Sequence, residues 1–311
     1  MISTLTNPVD RIRGLITDGL PVLSDEAIAR VAWATISEPG DTVAAVLVAE
    51  HGPIHSLALL LAGDASTSVD RAALTGRATD RYSPGAVATN INRSIRLGAH
   101  ILTPEHPSWP ARLNDLGDTA PFALWCLGDP TVLPTADVCL TGARAATGYG
   151  ETIAIELAAE LTNAGRSVIN GGAYGIDGAS LRGALGTGGR PIAVLASGVD
   201  RQYPAGHTEL LHTVAATGAV ISQFVPGTAP TRSRFQERSR LLATLAARTV
   251  IVESGRRSGA LAIATIAADL GRDVYAVPGP ITSAASAGCH HLIREGIATL
   301  LTGIHDLTPT S

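Results

Sequence analysis

Residues 168–185 read V-I-N-G-G-A-Y-G-I-D-G-A-S-L-R-G-A-L. A β-branched pair runs into two glycines, then a third glycine and an aspartate, then an Ala/Leu-rich run. Such an order predicts a buried strand that turns sharply into a helix. The same grammar repeats downstream. Strand segments are predicted at 137–142, 167–172, 191–198, 219–224, 249–254 and 273–279. Helices are predicted at 149–165, 178–186, 207–217, 235–247, 259–271 and 290–296, and A-T-L-L near 300 reads as a short final strand. Continuous apolar strands alternating with helices predict an α/β fold built on a doubly wound, mostly parallel sheet. Right-handed crossovers then put every strand-to-helix loop on one edge, where ligands of such sheets bind.

The unusual residues collect in those loops: T-G-A-R-A-A-T (141–147), N-G-G-A-Y-G-I-D (170–177), A-S-G-V-D-R-Q-Y-P (196–204), S-Q-F (222–224) and E-S-G-R-R-S-G (253–259). Two readings stay open for their glycines. Gly142, Gly171, Gly172, Gly175 and Gly259 could bring backbone N–H groups to phosphate oxygens. They could equally serve only to make tight turns. Asp177 reads as an orienter of its own loop or of a nearby arginine rather than as a proton-transfer group.

Known cofactor signatures are missing. There is no G-x-G-x-x-G at the first strand, no G-x-x-x-x-G-K-[ST] and no G-x-S-x-G, so NAD, Walker-type ATP use and serine hydrolysis are not expected. Cys289-His290-His291 reads as structural, because adjacent residues at a helix start converge poorly on one ion.

All 23 basic residues are arginine. Every cationic contact is therefore a planar fork suited to phosphate or carboxylate. Net charge is −4, but it is unevenly divided. Residues 1–134 hold 9 arginines against 14 acids, and residues 135–311 hold 14 against 13. An anion is better accommodated in the second part. There, T-R-S-R-F-Q-E-R-S-R (231–240) sets Arg232, Arg234, Arg238 and Arg240 around Phe235. A basic track beside an aromatic suits single-stranded nucleic acid; a solvated helix start would have the same composition. Arg144, in the first loop, is placed to join that site.

Upstream, Ser24, Asp41 and Pro53 mark the starts of three short helices within 24–63, and a fourth is predicted over 86–98. A-G-D-A-S-T-S (62–68) and Y-S-P-G (82–85) read as loops. This predicts a small helical domain over residues 1–100, then a sheet-containing domain over 101–311 whose residues 101–134 form a packed connector. Three scattered cysteines give no disulfide or zinc pattern. The first residues carry no hydrophobic signal core, and the longest apolar run, 56–63, is too short to cross a bilayer. A soluble, cytoplasmic chain is expected.

Taken in order, T-G-A-R-A-A-T-G-Y-G, N-G-G-A-Y-G-I-D-G-A, I-A-V-L-A-S-G-V-D-R-Q-Y-P, G-A-V-I-S-Q-F, R-S-G-A-L, G-R-D-V-Y-A-V-P-G and G-C-H-H-L-I-R-E-G resemble the DNA processing protein A (DprA/Smf) family, as do T-P-E-H-P-S-W-P-A-R-L and L-W-C-L-G-D-P before them. The resemblance covers about residues 100–302. It implies an extended Rossmann-like fold with no cofactor and no established catalysis. It further implies a homodimer that binds single-stranded DNA and loads the RecA recombinase during natural transformation. By motif matching, Gly142, Arg144, Gly171, Gly172, Gly175, Asp177, Phe235, Arg238, Arg240, Ser258 and Gly259 would form the DNA or phosphate site. The chain departs from the family pattern at Asn170, Ala205, Gln223, Gln236 and Ser239. Two other classes remain alongside: a nucleotide-binding sensor or phosphoribohydrolase-like enzyme on a related fold, and a diverged paralogue without DNA binding.

Overall fold

The computed structural model describes residues 7–17, 23–62 and 80–307. Among the described residues the chain opens with helices α1 (Pro8–Arg13), α2 (Asp25–Ile36), α3 (Thr42–His51), α4 (Pro53–Ala62) and α5 (Pro84–Arg96). The capping signals work as expected. Ser24 accepts from the Ala27 N–H and Asp41 from the Ala44 N–H. Gly52 ends α3 with φ +73°, and Pro53 starts α4. Of the expected Y-S-P-G loop, Tyr82 and Ser83 are loop, while Pro84 and Gly85 already belong to α5. Ser83 caps it and Pro84 occupies its first turn, where a missing N–H costs nothing. The short helix α1 carried no recognised signal. The A-G-D-A-S-T-S stretch beyond Ala62 lies outside the described residues.

Among the described residues, nine strands form one sheet: β1 (His100–Leu102), β2 (Leu124–Gly128), β3 (Ala136–Thr141), β4 (Ser167–Asn170), β5 (Ile192–Val194), β6 (Ala219–Ser222), β7 (Arg248–Ile251), β8 (Asp273–Ala276) and β9 (Thr299–Leu300). Their spatial order is β1-β2-β6-β5-β4-β3-β7-β8-β9. From β6 to β9 all pairs are parallel, while β1 and β2 join the edge antiparallel. Residues expected as a connector thus extend the sheet. The interleaved helices are α6 (Gly148–Asn163), α7 (Ile176–Gly186), α8 (Thr208–Thr217), α9 (Arg232–Leu245), α10 (Gly259–Asp269) and α11 (Ala287–Arg294).

Strand side chains alternate between two cores, the period-two consequence of the pleat. Cys139, Ile192, Ile221 and Ile251 pack with Leu241, Leu242, Ile263 and Leu292 from α9, α10 and α11. Their neighbours Val138, Leu140 and Val250 face α6 and α7, and Ala193 and Val220 face α7 and α8. Helices therefore cover both faces of the parallel part. The same alternation makes β2 the hinge between cores. Leu124 and Cys126 join the main core, whereas Trp125 turns the other way into the core of α1–α5. Trp125 is fully buried and donates to the Ser94 hydroxyl at 2.8 Å. Ion pairs Arg30–Glu105, Arg93–Asp200 and Arg234–Glu38 bind the helical segment to the rest.

β3 is the switch strand. The chain proceeds from β3 to β4 on one side and reaches β7 on the other, so their loops diverge and open a crevice. Sequence reading extends several strands two to four residues too far at this edge. Asn170, for example, ends β4, and Gly172 already has φ +63°. Among the described residues, no single helix is long and apolar enough to cross a membrane.

Candidate functional site

The crevice is a cavity of about 870 Å³ between the first loop, α9 and the start of α10. Eight of the eleven residues expected at the site line it: Gly142, Arg144, Asp177, Phe235, Arg238, Arg240, Ser258 and Gly259. Gly171, Gly172 and Gly175 lie behind it and have another task.

The second loop is built around Asp177, which is 3% exposed. One carboxylate oxygen accepts from the N–H groups of Gly171 and Ala173, at 3.1 and 3.2 Å. The other accepts from the Thr141 hydroxyl at 2.6 Å. Gly172 N–H is bonded to the Asn170 side chain at 2.9 Å. The amides of Gly171 and Gly172 are therefore satisfied within the loop, which corrects the expectation that they present N–H groups to a phosphate. What Gly171 provides is room: a Cβ there would overlap the guanidinium of Arg238. Gly175, at φ +70°, lets the second loop lie against the Ala143 and Arg144 carbonyls.

Asn170, one of the departures from the family pattern, has its own place. Its amide donates to Ser180 at 2.9 Å and to the Asp177 carbonyl at 3.1 Å, stitching strand to helix.

The first loop is organised by a second buried carboxylate. Glu253, 2% exposed, accepts from the N–H and hydroxyl of Thr147 at 2.8 and 2.7 Å. Thr147 is the N-cap of α6. Its place at the helix N-terminus is the one a pyrophosphate takes in dinucleotide-binding folds. Here the protein's own carboxylate fills it. Glu253 was not singled out from sequence. Its signal was an acid closing the apolar run T-V-I-V, where a buried charge needs a specific partner.

The arginines divide by environment. Arg238 is 7% exposed, and its Nη1 donates to the Gly171 carbonyl at 2.9 Å. Burial lowers its pKa and the charge of Asp177 opposes that shift, while Arg144 adds to it. A guanidinium stays protonated even so. The Arg238 guanidinium carbon lies 5.3 Å from the Phe235 ring centroid, and that of exposed Arg144 lies 4.9 Å away. Phe235 thus carries two cations, and Tyr203 meets it edge-on at 5.7 Å. Arg240 pairs with Glu237 at 3.5 Å, and Arg234 is held by Glu38. The expected track is therefore not uniform. Arg144 and Arg232 remain exposed at the cavity, with Arg257 beside them.

Two exposed tyrosines extend the aromatic surface, and sequence reading passed over both. Tyr203 is 45% and Tyr174 48% exposed. The Tyr174 hydroxyl accepts from the Gly206 N–H at 3.2 Å, and its ring meets buried His207 at 4.8 Å, tying the second loop to the third. The A-Y-G and Q-Y-P triplets were the available signal. Of the other departures, Gln236 and Ala205 are exposed, Ser239 bonds back to the Phe235 carbonyl at 2.9 Å, and Gln223 is buried.

At the start of α10, Ser258 caps by accepting from Ala260 N–H at 3.3 Å. Among the described residues no group of His, Cys, Asp and Glu is arranged to hold a metal ion. Cys289 is buried, with its thiol pushed up to about 12 mainly by burial, and His290 bonds to Gly279.

Comparison with known proteins supplies the family. Residues 100–310 match the family described as DNA recombination-mediator protein A. A Mycobacterium tuberculosis relative that carries the DprA name is 41% identical over 293 residues, covering 89% of this chain and 73% of its own. Streptococcus pneumoniae DNA processing protein DprA is 34% identical over 195 residues, covering 63% of this chain and 68% of its own. The crystal structure of S. pneumoniae DprA matches with a TM-score of 0.77 at 26% identity, covering 93% of this chain and all of that one. A Helicobacter pylori DprA structure, reported for its mode of binding single-stranded DNA, matches with a TM-score of 0.61 at 26% identity over 67% of this chain and 93% of its own. The chain therefore belongs to the DNA recombination-mediator protein A family, the DprA/Smf proteins.

Proposed function

We propose that the cavity edge binds single-stranded DNA, with phosphates on the exposed guanidinium of Arg144 and bases on the aromatic surface of Phe235, Tyr203 and Tyr174. The observation that carries this reading is the Arg144–Phe235–Arg238 stack. It sets a ring and a free cation side by side at a sheet edge, which is what a base and its phosphate require. The single-stranded DNA binding reported for the H. pylori relative supports it. In this reading Arg238 and Asp177 do not touch DNA. They fix the loop and the ring that do.

We read the chain as a binding protein rather than an enzyme. The two buried carboxylates at the edge, Asp177 and Glu253, spend their oxygens on amides and hydroxyls of their own loops. That also disfavours a nucleotide enzyme, because Glu253 fills the anion position at the start of α6 and Asp177 takes the amides of the second loop. From the family we further infer a homodimer using residues around 245–300, RecA as the protein partner, and a place in recombination during transformation. Exposed Leu300 on the outer strand β9 and exposed Ile281 are consistent with a contact surface there.

The test is photo-crosslinking of an oligonucleotide carrying 5-iodouracil, with the adducts mapped by mass spectrometry. Adducts on peptides containing Phe235, Tyr203 or Tyr174 are expected, competed by single-stranded but not duplex DNA. Adducts confined to the opposite edge of the sheet would refute the placement.

A further inference from the structure

The loop that follows α2 reaches across to the arginine-rich helix. Glu38 meets Arg234 fork to fork: Nη2 donates to one carboxylate oxygen at 2.7 Å and Nε to the other at 3.2 Å. The remaining Nη1 donates to the Ala229 carbonyl at 2.8 Å. A guanidinium grips a phosphate in this same bidentate way. Arg81 approaches Glu38 from the helical side at 3.4 Å. Two residues on, Gly40 lies over the next turn of α9, where a Cβ would sit 3.2 Å from Glu237 and 3.3 Å from Arg240. Glu237 is itself paired with Arg240. The loop thus covers the outer end of α9, and each arginine it meets there is neutralised by an acid.

We propose that Glu38 acts as an internal phosphate mimic that occupies Arg234 and so attenuates single-stranded DNA binding at the neighbouring cavity. This rests on the DNA-binding reading given above. Arg234 immediately precedes Phe235, whose ring carries the Arg144 stack. Arg234 lies outside the cavity lining, which holds the exposed Arg144, Arg232 and Arg257, and would add one more cation beside them. The pair is open to exchange: both partners keep contact with solvent, with side-chain exposures of 22% for Arg234 and 44% for Glu38, and a phosphate can take over the same bidentate geometry. A strand held at the cavity can offer a phosphate in place of the Glu38 carboxylate. The helical segment then does more than pack on the sheet: it sets how many phosphates the track engages.

The experiment measures oligo-dT affinity across a salt series for the full chain and four variants: Glu38→Gln, Arg234→Ala, the double variant, and Glu50→Gln. Glu50 lies on α3, is exposed, and controls for loss of one negative charge. Glu38→Gln is expected to tighten binding several-fold and to steepen the salt dependence by about 0.7 in log–log slope, one extra phosphate on a single strand. Arg234→Ala alone is expected to change affinity little, but to abolish the gain when added to Glu38→Gln. Glu50→Gln should match the wild type. Equal affinities for the wild type and Glu38→Gln would overturn the inference. So would a gain in Glu50→Gln as large as that in Glu38→Gln, or a loss from Arg234→Ala that does not depend on Glu38. Absence of binding by all five proteins would overturn the DNA-binding reading itself, and this inference with it. Matching thermal unfolding of the variants shows that the helical segment stays docked.

Discussion

Arg238 donates a 2.9 Å hydrogen bond to the carbonyl of Gly171, 67 positions earlier in the chain. The glycine is what allows it, since a side chain at 171 would occupy the space of the guanidinium. A methyl group there must expel the arginine, break its bond and remove one of the two cations from the Phe235 ring. Gly171→Ala is expected to destabilise the fold by about 1–3 kcal/mol, the usual cost of overpacking. Urea denaturation checks this; an unchanged midpoint would mean that Arg238 can move freely.

Asp177 satisfies three donors and opposes the buried charge of Arg238. Removing the carboxylate leaves those donors without an acceptor, at about 1–3 kcal/mol, and takes away a charge that favours protonated Arg238. Asp177→Ala is expected to show a loss of that size in thermal or chemical unfolding. Asp177→Asn keeps the shape and one acceptor and should lose less. Equal losses would assign the effect to the charge rather than to shape.

The Glu253–Thr147 contact predicts non-additivity. Glu253→Ala removes the acceptor of the part-buried Thr147 N–H and hydroxyl, costing about 1 kcal/mol. Thr147→Ala removes the α6 cap, typically about 1 kcal/mol. Because both remove the same interaction, the double variant should cost less than the sum. Full additivity in a denaturation cycle would contradict the geometry.

Much of the fold was legible because it is local. Ser24, Asp41 and Gly52 act through neighbours a few residues away, and the apolar strands alternate with helices at the spacing a parallel sheet requires. Contacts across the chain were not legible. Nothing in L-W-C-L-G announces that β2 would pair antiparallel with β6, 95 positions on at Cys126–Ile221. Glu253 and Glu38 act on Thr147 and Arg234 through tertiary proximity that no periodicity encodes. The glycines of the second loop were the instructive case. Their pattern was visible, but whether their amides faced a ligand or Asp177 depended on where one carboxylate pointed.

Phe235 and Arg144 separate stacking from charge. Phe235→Ala is expected to weaken single-stranded DNA binding by about 1–3 kcal/mol for each base it stacks, with the salt dependence unchanged. A change in slope without a change in affinity at low salt would reverse the roles assigned to ring and cation.

The most direct measurement is fluorescence anisotropy of a labelled oligo-dT at low and raised salt, for the wild-type protein and Arg144→Ala. The account predicts wild-type binding that weakens steeply with salt, and a variant whose binding is weaker and whose log–log slope is shallower by about 0.7. Wild-type protein that binds no oligonucleotide at low salt, or an Arg144→Ala variant that binds as tightly and as salt-dependently as the wild type, would contradict it.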